Sequence, residues 1–227
     1  MGTITRVRTQ EPVIALTFDD GPHPEYTPRV LDLLRTYKAR ATFFVIGQAA
    51  ERHPDLIRQI RSEGHVLGNH TYSHARMPTI NRRERREEIH ACERQIGQQS
   101  LRLFRPPWGA QTRASRMDLL WLRYKVITWN VVLEDWLKQE PTDLAQQMVN
   151  QAKPGCIVLL HDAVRPTSPD SPTSHDRDYM IKALELALPK VTADLRCVTV
   201  PEMLSLGRPV YRPWYEKHAT QKKSGGV

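Results

Sequence analysis

At 227 residues, with 40% hydrophobic and 26% charged side chains, the chain has the balance of a globular protein that buries a real core, and nothing in it forces a division into two domains. Lys plus Arg number 33 against 25 Asp plus Glu, and the resulting charge of +8 draws a protein towards polyanions; no basic stripe is interleaved with aromatics, so nucleic acid is not an expected partner. No apolar run approaches the roughly 18 residues of a transmembrane helix, and the opening MGTITRVRTQEP lacks the apolar stretch of a signal peptide.

In chain order, the first β-rich run is VIALTF (13–18), which leads into TFDDGPHP, two adjacent acids followed by a Gly-Pro turn. Neighbouring carboxylates repel when both are ionised, and burying either costs several kcal/mol unless a cation or a hydrogen bond answers it. The helical pattern TPRVLDLLRTYK precedes a second strand, ATFFVIG (41–47), and HPDLIRQIRSEG precedes a third, HVLGNH (65–70). The segment NRRERREEIHACERQ (81–95) interleaves Arg with Glu at helical spacing, the pattern of a salt-bridged, solvated helix face. Further strands are expected at LRLFRPP (101–107), YKVITWNV (124–131), CIVLLHD (156–162) and RCVTV (196–200), with helices at TDLAQQMVNQA and YMIKALELALPKV. The Pro- and Ser-rich stretch 164–178 reads as an irregular loop, and the polar tail from 207 onward as a segment that frays.

The three cysteines, Cys92, Cys156 and Cys197, are widely spaced and allow one disulfide but no framework and no CxxC site; Cys156 and Cys197 lie in apolar runs and read as small buried hydrophobes. Trp121 and Trp129 sit near apolar runs and are expected in the core. His23 reads as a turn residue, and His53, His65, His90, His175 and His218, which have no partner at ligand spacing, as surface or structural groups.

Seven strands alternating with helices specify a mainly parallel sheet, curled into a barrel or left open, whose chemistry collects at the carboxyl ends of the strands. Asp19 and Asp20 follow the first strand, His70 ends the third, Arg105 closes the fourth, Asp135 lies just beyond the fifth, and His161 ends the sixth. Within HTYSH, His70 and His74 stand four apart, so that a helical turn would aim both imidazoles at one metal ion. One carboxylate from TFDD completes a set of three protein ligands with an open position, which leaves the other acid free to move protons. Thr71 and Ser73 are expected to hydrogen-bond locally and orient that loop.

Together these motifs resemble the polysaccharide deacetylases, also called the NodB-homology domain or carbohydrate esterase family four, over about 13–206. The resemblance implies one catalytic domain over 1–227, with a core of about 13–206 and a tail of 207–227, folded as a distorted, incomplete (β/α) barrel of about seven parallel strands. TFDDGP implies Asp19 as catalytic base and Asp20 as metal ligand; HTYSH implies His70 and His74 as the other ligands. RPPWG implies that Arg105 orients Asp19 and that the Trp108 amide holds an oxyanion. EDW implies that Asp135 tunes a histidine while Trp136 lines the groove, and LLH implies Leu159 as a wall of the acetyl pocket and His161 as general acid. The implied activity is metal-dependent removal of N-acetyl groups from polymers of N-acetylglucosamine, peptidoglycan or chitin, with zinc as the expected ion and cobalt or another divalent ion as substitutes. An O-acetyl xylan esterase and a non-catalytic glycan-binding module are the alternatives. An exported or envelope location is expected if a leader precedes the mature chain, and a cytoplasmic one otherwise. Two positions depart from the family pattern: Val132 replaces the first Asp of D-x-x-D-W, and Trp108 stands where Tyr is commoner.

Overall fold

A run such as VIALTFD, apolar without alternation, suits a strand covered on both faces, and all seven of its residues are buried. In the computed structural model, which describes residues 2–97, 101–165 and 175–214, this run is the second of ten strands. Strands and helices follow in the order β1 (Thr3–Arg8), β2 (Val13–Asp19), α1 (Tyr26–Thr36), β3 (Ala41–Val45), α2 (Gly47–Arg52), α3 (Pro54–Ser62), β4 (Val66–Asn69), α4 (Arg82–Ile96), β5 (Leu103–Phe104) and α5 (Arg113–Trp121). The second half continues with β6 (Lys125–Val126), β7 (Val131–Val132), α6 (Pro141–Gln151), β8 (Ile157–His161), α7 (Asp178–Asp194), β9 (Arg196–Cys197), α8 (Val200–Ser205) and β10 (Arg208–Arg212).

Seven strands form one parallel path in the order β6-β5-β4-β3-β2-β8-β7, with β9 pairing alongside β2. Their curl is a half-barrel with helices outside it. Phe18 of β2 stacks on Phe43 of β3 with ring centroids 5.1 Å apart, both fully buried, and each such ring contributes about 1.5–3 kcal/mol through burial. The register pairs Asp19 with His161 and with Phe44, so the first and sixth expected strand ends lie side by side.

The expected strand over 124–131 divides in two, and its halves belong to opposite edges of the sheet. Residues 127–130 leave β6 and cross the opening: Asn130 Oδ1 accepts the Ile157 N–H, which seats β7 against β8. A period of two cannot reveal that crossing, because the alternation runs on through it. β1 helps to span the same opening, with Ile4 bridging Ile127 and Arg6 bridging Cys156. The tail expected to fray instead supplies β10, antiparallel to β1 from Arg208↔Arg8 to Arg212↔Thr3. Most of the expected loop at 164–178, the tail beyond Trp214 and His218 lie outside the described residues.

Helix α4 begins with a reciprocal capping box between Asn81 and Glu84. Its Arg83–Glu87 pair is the expected solvated kind, at 2.8 Å, but Arg85 turns inward to Asp118 of α5 at 2.7 Å. Trp121 is not core: α5 buries Ser115, Arg116, Asp118 and Leu119, and helical periodicity carries Trp121 to the outside, where it is 69% exposed. All three cysteines are buried free thiols, so the disulfide allowed by their number is not formed. His65 is structural, its Nδ1 accepting the Ala41 N–H at 3.1 Å, and His23 Nδ1 accepts the Glu25 and Tyr26 amides in its turn.

Candidate active site

Asp20 leaves β2 in the left-handed region, φ 73°, and this turn separates its side chain from that of its neighbour. Its Oδ1 lies 3.4 Å from His70 Nε2 and 3.2 Å from His74 Nε2, and the three side chains are buried. The stretch carrying the two histidines is not the helical turn expected from their spacing. Thr71 and His74 have φ of 65° and 63°, and these two left-handed residues fold the chain back so that both rings face Asp20.

His70 Nδ1 donates to the Arg105 carbonyl at 2.7 Å, and since a carbonyl only accepts, the neutral tautomer this bond selects carries its lone pair on Nε2, towards Asp20. Burial pushes His74 down to about 4, against the pull of Asp20, so its ring is neutral near pH 7. For Asp20, burial acts to raise the carboxyl, but the neighbouring rings of His70, His74 and His161 hold it below the ordinary carboxylate range. Oδ1 of Asp20 is buried with no hydrogen-bond partner. An orphaned carboxylate oxygen facing the Nε2 atoms of two imidazoles, with ligand atoms all within 4.8 Å of one another, is a donor set that fits a divalent cation.

Asp19 turns the other way. Its Oδ1 accepts from Arg105 Nη1 at 2.7 Å, and the pair is buried. Arg105 also donates to Thr17 Oγ1 at 2.8 Å and to the carbonyl of Thr128 at 3.0 Å, and its guanidinium lies 4.1 Å from the ring centroid of Phe44. A buried cation costs several kcal/mol unless its protons are met, and these contacts meet them. The second oxygen of Asp19 remains directed towards the histidines, 3.9 Å from His70 Nε2.

Across the mouth of the half-barrel, His161 Nδ1 donates to Asp135 Oδ1 at 2.8 Å while Asp135 Oδ2 accepts the His161 amide at 2.8 Å. Burial alone would lower this imidazole, but the Asp135 charge and hydrogen bond, helped by Asp20 and Asp19, raise it to about 9. Asp135 is itself supported from behind by the buried Arg177 and by the Tyr179 hydroxyl, both donating to its carbonyl. Next to His161, burial pushes Asp162 up to about 7; the Thr27 hydroxyl donates to it, and a Cβ on Gly21 would come within 2.3 Å of its carboxylate. Glycine at position 21 is what lets the Asp20 turn pass so close.

These groups open onto one cleft of about 300 Å³. Asp19, Asp20, His70, His74, Trp108, Trp136, Leu159 and His161 line it, and Arg105 and Asp135 stand directly behind their partners, so all ten expected site residues assemble at one place. Residues 6–127 match the family model described as polysaccharide deacetylase. The chain belongs to the polysaccharide deacetylase family. It is 37% identical over 203 residues, 87% of this chain and 91% of the relative, to a peptidoglycan-N-acetylglucosamine deacetylase of Bacillus cereus. A chitooligosaccharide deacetylase of Azorhizobium caulinodans is 34% identical over 73% of this chain and 81% of its own. Among solved structures, the Bc1960 peptidoglycan N-acetylglucosamine deacetylase in complex with an N-oxidanyl-benzamide superposes with a TM-score of 0.78 at 28% identity, covering 91% of this chain and 94% of that one.

Within this deacetylase cleft, the two departures from the family pattern fall differently. Val132 is 37% exposed at the end of β7 and does not line the cleft. Trp108 does line it, in a turn with φ 54°, its ring 4.2 Å from that of His74. Trp136 meets the His161 ring edge-on at 5.6 Å. Trp129, expected in the core, is half-buried on the cleft wall, where Arg105 lies 5.4 Å from its ring and Trp214 packs against it edge-to-face at 5.5 Å. The two indoles close over Gly109, whose missing Cβ would lie 3.1 Å from each. Sequence reading also missed Arg165, whose N–H donates to Asp20 Oδ2 at 3.2 Å, and Arg177. Both lie outside any motif at ligand spacing. A Trp beside an apolar run carries the same pattern whether it ends in a core or on a wall.

Proposed function

We propose that the protein is a metal-dependent N-deacetylase of N-acetylglucosamine-containing glycans, with zinc as its ion. The observation that carries this reading is the divergence of two adjacent carboxylates: Asp20 joins two imidazoles, and Asp19 joins a buried guanidinium. Asp20, His70 and His74 hold the ion, which supplies a Lewis acid for the acetamide carbonyl and lowers the pKa of water to roughly 7. Asp19, fixed by Arg105, takes a proton from the attacking water. The Trp108 amide donates to the oxygen on which negative charge gathers. His161, kept charged by Asp135, gives a proton to the departing amine, and Leu159 and Trp136 enclose the acetyl methyl and the sugar. Acetate and a glucosamine unit are the products. The named relatives, which include a peptidoglycan and a chitooligosaccharide deacetylase, support the glycan class.

The test is acetate release from chitooligosaccharides, peptidoglycan and acetylxylan, with and without chelator. The N-acetylated substrates should yield acetate, chelator should abolish it and zinc should restore it. Asp19→Asn should lower kcat by about 10²–10⁴-fold, the usual worth of a positioned general base. Release from acetylxylan alone would point to the esterase chemistry instead.

A further inference from the structure

The loop between His70 and His74 has no helix to satisfy its backbone, so each amide needs another acceptor. The His70 N–H goes to the Val45 carbonyl, Thr71 N–H to Asn69 Oδ1 at 2.9 Å, and Ala75 N–H to Thr71 Oγ1 at 3.0 Å. The two central amides reach across to helix α4. Glu88 Oε2 accepts from Tyr72 N–H at 2.9 Å and from Ser73 N–H at 2.8 Å, while Oε1 accepts the Ser73 hydroxyl at 2.8 Å. One half-buried carboxylate thus caps the apex of the turn that carries both imidazoles.

We propose that Glu88 is a positioning residue for the metal ligands, holding the His70–His74 loop in a left-handed conformation it would otherwise leave. Thr71 is β-branched and His74 is bulky, and residues of this kind at φ near +65° are strained and persist only where their surroundings over-determine them. The loop's carbonyls are held by the rest of the fold: Gly47 N–H donates to Thr71, Gln48 N–H to Tyr72 and Arg165 Nη1 to Ser73. Those contacts fix where the loop sits. Among the described residues Glu88 alone gathers the amides that face the other way, and without it Tyr72 and Ser73 can turn their N–H groups to water, which rotates His74 out of line with Asp20. The requirement is for acceptors rather than for charge. A Gln at this position keeps all three contacts, its oxygen taking both amides and its NH₂ donating to Ser73 Oγ once the hydroxyl turns.

This inference rests on the proposed metal site, and its test reads metal rather than turnover. Zinc affinity by chelator competition and the visible absorption of the cobalt-loaded protein are measured for wild type, Glu88→Ala, Glu88→Gln and Ser73→Ala. Glu88→Ala should bind zinc about 10–100-fold more weakly, the usual effect of removing an outer-sphere partner, and show an altered cobalt spectrum. Glu88→Gln should stay within about threefold of wild type, and Ser73→Ala should weaken binding in the wild-type background but not beside Glu88→Ala, as expected for coupled groups. Wild-type affinity and spectrum in Glu88→Ala would overturn the role, as would an equal loss in Glu88→Gln, which would make charge the cause. Should Glu88→Ala not fold, the Glu88→Gln and Ser73→Ala pair decides alone: both unchanged, or both equally weakened, overturns it. A wild-type protein that binds no divalent ion would instead refute the metal site itself.

Discussion

Asp19 and Asp20 show how far two neighbouring side chains can be driven apart by one backbone angle. The left-handed Asp20 belongs to a group of non-glycine residues with positive φ that also includes Thr71, His74, Trp108 and Glu134, all within or beside the site motifs. Strain of this kind leaves no mark in a hydrophobic pattern, which is why HTYSH reads as a helical turn and folds as something else. The ligand types and spacing were legible all the same, because a His pair and an acid pair are rare enough to be noticed. His161 gives the sharpest test at this scale. Its imidazole is raised to about 9 by Asp135, so deacetylation should fall on the alkaline side near that pH. Asp135→Asn should move this limb of the kcat/KM profile down towards the unperturbed value of about 6.5. The same shift is a stability term: the folded pKa exceeds the unfolded one, so the pair contributes fully below about pH 6.5 and its contribution is lost as pH rises through the folded value. An alkaline limb that stays in place in Asp135→Asn would remove the proposed coupling.

Elements were read well where their pattern was complete and poorly where it was borrowed. The helices with an apolar stripe, α1, α3, α6 and α7, fall within a few residues of expectation. Helix α5 was missed because its buried face carries Ser115, Arg116 and Asp118 as well as Leu119, a set that looks solvated until α4 is placed beside it. Asp118 there accepts from Arg85 Nε at 2.8 Å and from Arg82 Nε at 3.0 Å. Asp118→Ala strands the buried Arg85 and should cost about 3–5 kcal/mol, the range for breaking a buried pair from one side. Trp121→Ser, three residues along on the exposed face, should stay within about 0.5 kcal/mol. Urea unfolding of the two variants checks both values, and a large loss in Trp121→Ser would mean that this face is covered in solution.

For the molecule as a whole, seven parallel strands were expected and seven form the sheet path, but the membership differs. Residues 124–131 supply two of them, and the last expected strand, β9, lies beside the path as an extra partner of β2. Fold class survived those exchanges because it depends on the alternation of strands and helices, not on where each begins. The Asp20, His70 and His74 cluster joins the ends of β2 and β4, so the binding of the proposed ion there should be felt globally. A ligand present at about 1,000 times its Kd stabilises by about 4 kcal/mol, and chelation should therefore lower the melting temperature, with recovery on adding zinc. Asp20→Asn should melt at the same temperature with or without chelator; a chelator effect that persists in this variant would place the ion elsewhere.

The pairing of β1 with β10 has a consequence for how the molecule can be used. Thr3 and Arg212 face each other in the ribbon, Gln111 donates to the Thr3 hydroxyl, and Trp214 rests on Gly109. The first and last described stretches, at Thr3 and at Trp214, therefore both lie next to the Trp108 turn, at the rim of the cleft. A carrier protein or sugar-binding module joined ahead of Thr3 or directly after Trp214 would be delivered to the same place, close enough for a short linker to raise the local concentration of a glycan strand over the reacting groups.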